Sequence, residues 1–407
     1  MLLHLLIILA LVTSFYIALP AFGAFVARGQ WRRFRERVTA VSHYPTAPPS
    51  ATIRERGGAP GRYRFFGTLE AIQGDDRIWL TNGRYSVAAD LRNTRVYLIP
   101  EGDGTANLST PSNGELGSVP WSRIFSLPEG TPIFVGGVLF SEDGRGVFKS
   151  DGRTRLLVAI YDCPRENVVP FAISGGRQRN ELVNPFTLPS AAIGSLGLLL
   201  FAFTFLSQSD HLLALLAMTA AIAPLSPFLP PGVPLYFAYR AFWKKARFMR
   251  IQRDMLRLPL RYFPETESPP RGRRATLLPD MEPYLMVRGI KDPRDERTLV
   301  SEDERITLPP DLPERLIEIP RAFQRAPVQP THHVVFAGYD ADEAGIHLKK
   351  PEDPFAQMVI IAGEPRELAR ASERAALLYE VIAAMLISID VAVNVPLVFW
   401  VLSKIIK

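Results

Sequence analysis

Two apolar runs, 188–205 and 212–228, are separated only by the six residues LSQSDH. Each is close to the length an α-helix needs to cross a bilayer. The chain is therefore read as organised around a membrane hairpin, with spans at 188–206 and 211–234. Pro224, Pro227, Pro230, Pro231 and Pro234 cannot all lie in one unbroken helix. The second arm is accordingly expected to end or kink near Phe228.

Two further apolar runs lie outside the hairpin, at 1–27 and 375–403. A secretory signal normally opens on basic residues. Here the basic residues follow the run, as Arg28, Arg32, Arg33, Arg35 and Arg37, and Trp31 sits where an interfacial anchor would. This order favours a first membrane helix, a signal anchor, over a cleaved leader. Arg366, Arg370 and Arg374 mark the entrance to the fourth run.

Composition gains meaning only from its placement. A net charge of +6 and a hydrophobic fraction of 47% are ordinary averages. The cations cluster beside the apolar runs, most densely in 235–258, where Arg240, Lys244, Lys245, Arg247, Arg250 and Arg253 interleave with aromatic residues. Such a stretch reads as an interfacial helix facing anionic lipid headgroups. The positive-inside rule then puts the N-terminus outside and the soluble parts in the cytoplasm, with a bacterial cytoplasmic membrane as the expected location. It also puts the C-terminus outside, against which Lys404 and Lys407 argue mildly. The lone Cys163 excludes an internal disulfide framework and a multi-cysteine zinc site.

Residues 28–61 read as a basic flank and linker, and 62–162 as a β-rich domain. Strand candidates are RYRFFGTLEAI, RIWLT, RYSVA and TRVYLI, and then the stretches around GTPIFVGGVLF and TRLLVAIYD. Asn82-Gly83 is a two-residue hairpin signal. Five or six strands, a short helical turn before the fourth and a Gly-bearing strand resemble an oligonucleotide/oligosaccharide-binding (OB) barrel; another small barrel or a sandwich is the alternative. Residues 163–187 read as a connector, 259–330 as a Pro-rich extended or disordered segment, and 331–374 as a small α/β unit. The expected fold class is an α+β integral membrane protein with about four transmembrane helices, a small OB-like barrel and a small C-terminal α/β unit.

Chemistry-bearing candidates are few. Asp390 and Asn394 share a helical face inside the fourth span, where ionisable groups are costly. They would either hold helices together by hydrogen bonds, with Thr219 or Ser195 as partners, or line a proton or ion path. In the barrel, Trp79, Tyr85 and Tyr97 accompany Arg77, Arg84 and Arg95, a combination that single-stranded nucleic acid binders use and that ordinary strands also favour. Ordinary strand packing is the preferred reading, so nucleic acid is not the expected partner. His332, His333, Asp340, Asp342, Glu343 and His347 lack metal-ligand spacing and read as solvated loop residues, and no metal or other cofactor is expected.

Nucleophile elbow, phosphate-loop and dinucleotide motifs are absent from the sequence. The layout resembles bacterial membrane proteins that carry a small cytoplasmic barrel and assist other membrane proteins. The expectation is a non-enzymatic scaffold, adaptor or accessory subunit of an inner-membrane complex, with protein partners in the membrane or cytoplasm. Transport or proton coupling through Asp390 is the first alternative, and nucleic-acid binding by the barrel the second.

Overall fold

The computed structural model describes residues 2–49, 59–100, 116–124, 126–152, 154–178, 184–230, 232–262, 284–301, 305–315, 321–323, 332–342 and 345–405. They form two compact units, 1–32 with 178–249 and 374–407, and 33–177 with 250–373.

The first unit is helical. Four helices are long and apolar enough to cross a membrane: Leu2–Val41, Thr187–Ser207, His211–Phe228 and Pro365–Ile405. The first comprises α1 (Leu2–Val12), a π-helical turn (Thr13–Ala18) and α2 (Leu19–Val41). Pro20 accounts for the local unwinding, since its ring has no N–H and crowds the carbonyl four residues earlier. The helix runs on to Val41, where a flank and linker had been expected from residue 28. Arg32, Arg33, Arg35 and Arg37 are thus helical, not linker.

The hairpin forms as the sequence implied, with α4 (Thr187–Ser207) and α5 (His211–Ile222) in contact. Ser209 adopts the left-handed conformation in the turn (φ 60°), and Asp210 caps α5 by accepting from the Leu213 amide. The arms meet through Leu198, Ala202 and Phe205 on one side and Leu213, Ala214, Ala217 and Ala221 on the other. Alanines let the two backbones approach closely. The second arm gives way to a 3₁₀ segment at Ala223–Phe228, as its prolines require.

The second unit contains two β-sheets. In the first, eight strands are ordered β1-β2-β3-β7-β6-β8-β4-β5, and β1 also pairs with β6. These are β1 (Gly61–Gln73), β2 (Arg77–Thr81), β3 (Ser86–Asp90), β4 (Arg95–Ile99), β5 (Gly117–Pro120), β6 (Pro132–Glu142), β7 (Arg145–Lys149) and β8 (Leu157–Tyr161). The extra pairing closes β1-β2-β3-β7-β6 into a barrel-like ring around Phe65, Ile78, Leu80, Ala89, Val135 and Phe148.

Two local expectations change in this sheet. Thr81 pairs with Ser86, so the Asn82-Gly83 hairpin has a four-residue loop rather than a two-residue one. Asn82 Oδ1 accepts from the Arg84 and Tyr85 amides, and this side-chain turn holds the longer loop. Strand β7, absent from the sequence reading, follows a tight turn at Asp143 and Gly144, both with positive φ.

The second sheet overturns a larger expectation. Its strands are β9 (Tyr284–Asp292), β10 (Asp295–Val300), β11 (Arg305–Thr307), β12 (Glu314–Arg315), β13 (His332–Asp342), β14 (Gly345–Lys349) and β15 (Val359–Ala362). The order is β11-β10-β9-β13-β15-β12, with β14 also on β13. Four of these strands come from the 259–330 stretch that had read as extended or disordered. Residues 284–287 are four consecutive apolar residues, all buried, in a stretch otherwise dominated by prolines and charges. Tyr284 and Met286 face one core with Val334, Phe336, Val359 and Ile361. Leu285, Val287 and Leu299 face another with Val335 and Ile360. The apolar patch 316–319 and residues 277–283 lie outside the described residues.

The expected connector contains α3 (Val168–Gln178), whose Val168, Val169, Phe171, Ala172 and Ile173 are buried. The last helices are α6 (Gly232–Leu260), longer than the interfacial segment expected at 235–258, and α7 (Pro365–Ile405).

Candidate functional site

The most concentrated buried polar chemistry of the helical unit lies on α7. Asp390 and Asn394 are one helical turn apart, and both side chains are fully buried (0% exposed). Asn394 Nδ2 donates to Asp390 Oδ1 (2.6 Å) and to the Ser226 carbonyl (3.0 Å). That carbonyl belongs to the 3₁₀ segment and also accepts from the Leu229 amide. Gly232, at the start of α6, closes the site. A Cβ there would overlap Asp390 Oδ1, Asn394 Nδ2 and the Ser226 carbonyl oxygen, so the approach requires a residue without a side chain.

Three oxygens of this centre have no hydrogen-bond partner among the described residues: Asp390 Oδ2, Asn394 Oδ1 and Ser226 Oγ. The expected contacts with Ser195 and Thr219 do not form. Ser195 Oγ donates to the Ala221 carbonyl (2.8 Å) and bonds the Tyr16 hydroxyl (3.0 Å), while Thr219 Oγ1 donates to the Leu215 carbonyl (2.8 Å). Ser226 and Gly232 were not found from sequence. The signal that could have found them was the proline-rich break, whose prolines force the backbone out of regular helix.

The β-containing unit handles its buried charges differently. Arg64 on β1 is 1% exposed. Its guanidinium donates to the carbonyls of Val41 (3.2 Å) and Ser42 (2.7 Å) at the end of α2, pairs with Asp353, and lies over the Phe355 ring at 4.6 Å. Burial pulls its pKa down to about 10, with Tyr262 acting in the opposite direction. It therefore remains charged at neutral pH. Periodicity gave no hint of this role, because the central residues of β1 are buried on both faces.

A second network joins α3, α6 and α7. Arg177 Nε donates to Asp254 Oδ2 (2.8 Å) and Arg253 Nη2 to Asp254 Oδ1 (2.7 Å). Glu373 receives Arg253 and Arg257, each at 3.0 Å. Burial would raise Asp254, but Arg177 and Arg253 outweigh it and hold the carboxyl below its ordinary range.

The basic membrane-flank residues divide. Arg28, Arg32, Arg33, Arg240, Lys244 and Lys245 are exposed. Arg37 and Arg250 are half-buried, as is Arg35, which donates to the Gly176 carbonyl (2.8 Å), and Arg247 is buried with its guanidinium over Trp243. Six of the ten thus have the exposure a headgroup contact needs.

The proposed barrel ligand face is dispersed. Trp79 is half-buried, with its Nε1 donating to Gln73 (3.0 Å) and Arg145 over its ring. It borders a cleft of about 370 Å³ lined also by Glu70, Ala71 and Ser86. Arg77 is tied to Glu142 (3.2 Å), Arg84 is exposed in the hairpin loop, and Arg95 donates to Ser118. Tyr85 turns to the Ala47 carbonyl, and Tyr97 is buried against Phe34 with ring centroids 4.2 Å apart. Tyr97 therefore cannot serve as an exposed stacking platform.

The histidine cluster divides: Asp340 and His347 are paired across β13 and β14, apart from His332 and His333. His332 and His333 lie on β13 rather than in a loop, and His333 is buried with Nε2 3.5 Å from Glu314. Among the described residues no group of three or more His, Cys, Asp or Glu is placed to hold a metal ion. Burial pushes the Cys163 thiol up to about 11, which keeps it protonated and unreactive at neutral pH. No family model matches the chain, and the searches of curated proteins and of solved structures likewise gave no match.

Proposed function

We propose that this protein is a membrane-anchored adaptor or accessory subunit. In this reading it crosses a bacterial cytoplasmic membrane four times, with the N-terminus outside and the β-containing unit in the cytoplasm. The reading is supported most by the Arg64 clamp. One buried guanidinium joins the end of the first long helix, the barrel-like ring and the loop before β15 of the second sheet. Glu166 with Lys350, and Phe66 and Phe134 with Phe355, extend the same join. In this reading the ion pair serves to fix the orientation of the two modules it joins, and fixed orientation is what a docking platform needs. The closed ring β1-β2-β3-β7-β6 is consistent with the five-stranded OB class, which would offer its outer face to a partner.

The test is gentle detergent purification of tagged protein from its native membrane, with and without nuclease, followed by mass spectrometry. A stoichiometric protein partner that survives nuclease and is lost with Arg64→Ala is the expected result. Recovery of the protein alone would overturn the adaptor reading. Reporter fusions at Gly130 and Ala341 should both report cytoplasm, and an external signal at either breaks the topology.

A further inference from the structure

We infer that Asp390, Asn394 and Ser226 form a binding site for a small monovalent cation, with sodium ion as the expected occupant. The inference stands independently of the adaptor reading. Its basis is an imbalance. A carboxyl group with no exposure to solvent has one neutral amide as its donor, and no described basic side chain pairs with it. An ionised carboxylate in such surroundings requires a counter-charge, because its desolvation is worth several kcal/mol or more. The three partnerless oxygens then indicate the ligand chemistry. Asp390 Oδ2, Asn394 Oδ1 and Ser226 Oγ are all hard oxygen donors, and they belong to residues already joined by hydrogen bonds.

A proton on Asp390 Oδ2 would let that oxygen donate to a single acceptor, whereas a metal ion engages several oxygens at once. The charge count selects a monovalent ion, since one carboxylate neutralises one positive charge and a divalent ion would leave a buried excess. Gly232 packs its bare Cα against Asp390, Asn394 and the Ser226 carbonyl, and the 3₁₀ break at Ala223–Phe228 interrupts regular backbone pairing beside them. Irregular backbone of this kind is tolerated at membrane depth where it lines a binding site.

The experiment uses full-length protein in detergent, exchanged into choline chloride and titrated with sodium chloride at constant ionic strength. Thermal unfolding and retention of radioactive sodium are read together. Wild-type protein should gain about 3 °C or more in Tm and retain about one ion per chain. Asp390→Asn, which keeps the shape of the side chain, should abolish both responses while its helical circular dichroism is unchanged. Ser226→Ala removes only a hydroxyl and keeps the test open if the Asn variant does not fold. It should weaken sodium about 10-fold. A Tm indifferent to sodium, with no retention, would overturn the site. A Tm that follows pH but not sodium would equally overturn it, assigning the carboxyl to a proton instead.

Discussion

Asp390 is fully removed from solvent and Asp353 largely so, with its side chain 11% exposed, yet they are handled in opposite ways. Asp353 sits in the β-containing unit against Arg64, whose guanidinium also serves two helix-terminal carbonyls. Asp390 sits among helices against Asn394, with its second oxygen lacking a partner among the described residues. The first acid is neutralised by a residue of the chain. The second receives a hydrogen bond from Asn394 but no counter-charge from the described residues. The first arrangement ties chain segments together, and the second is the one from which we propose a cation site.

The largest effect should come from breaking the joint. Arg64→Ala removes the guanidinium that pairs with Asp353 and donates to the Val41 and Ser42 carbonyls, and unfolding of the β-containing unit in urea should show a loss of about 3–5 kcal/mol. Replacing both partners together, Arg64→Met with Asp353→Leu, should recover most of that loss. If the double replacement is as damaging as the single one, the pair is not the source of the stability.

Gly232 gives the next effect. Gly232→Ala places a methyl group against the Asp390 centre and should cost about 1–3 kcal/mol by thermal unfolding, the range for overpacking. Asp390→Asn in sodium-free buffer should cost less than about 1 kcal/mol or stabilise, because it removes a charge with no partner of its own. A loss as large as that of Arg64→Ala would erase the contrast between the two acids.

A smaller effect concerns pH. The Asp254 carboxyl is held below its unfolded value of about 3.9. Its contribution is therefore fully present above about pH 4 and is lost as pH falls through the folded value. Acid unfolding followed by tryptophan fluorescence should be shallower in Asp254→Asn. The smallest effect is at Cys163: its thiol should react with maleimide slowly in the folded protein at neutral pH and quickly in denaturant.

How far these features were legible depends on whether their cause was local. The hairpin, the proline break and the pairing of Asp390 with Asn394 on one face follow from composition and helical spacing over a few residues. The strand β9 did not announce itself, because its two buried faces make sense only beside β13, about fifty residues away. Tyr97 passed for a surface aromatic until Phe34, far off in sequence, covered it. Trp79 fared better, since strict alternation with the buried Ile78 and Leu80 turns it outward.

The sequence by itself determined four helices of membrane length, their basic flanks and the presence of an acid within one of them. Each is a property of contiguous residues, fixed by hydropathy and the 3.6-residue period. Only the tertiary structure decided that Arg64 would be a buried clamp, that a proline-rich stretch would supply four strands, and that Ser226 and Gly232 would meet Asp390. Those outcomes depend on which distant groups can satisfy a buried charge or a strand edge, and that choice is made when the chain packs.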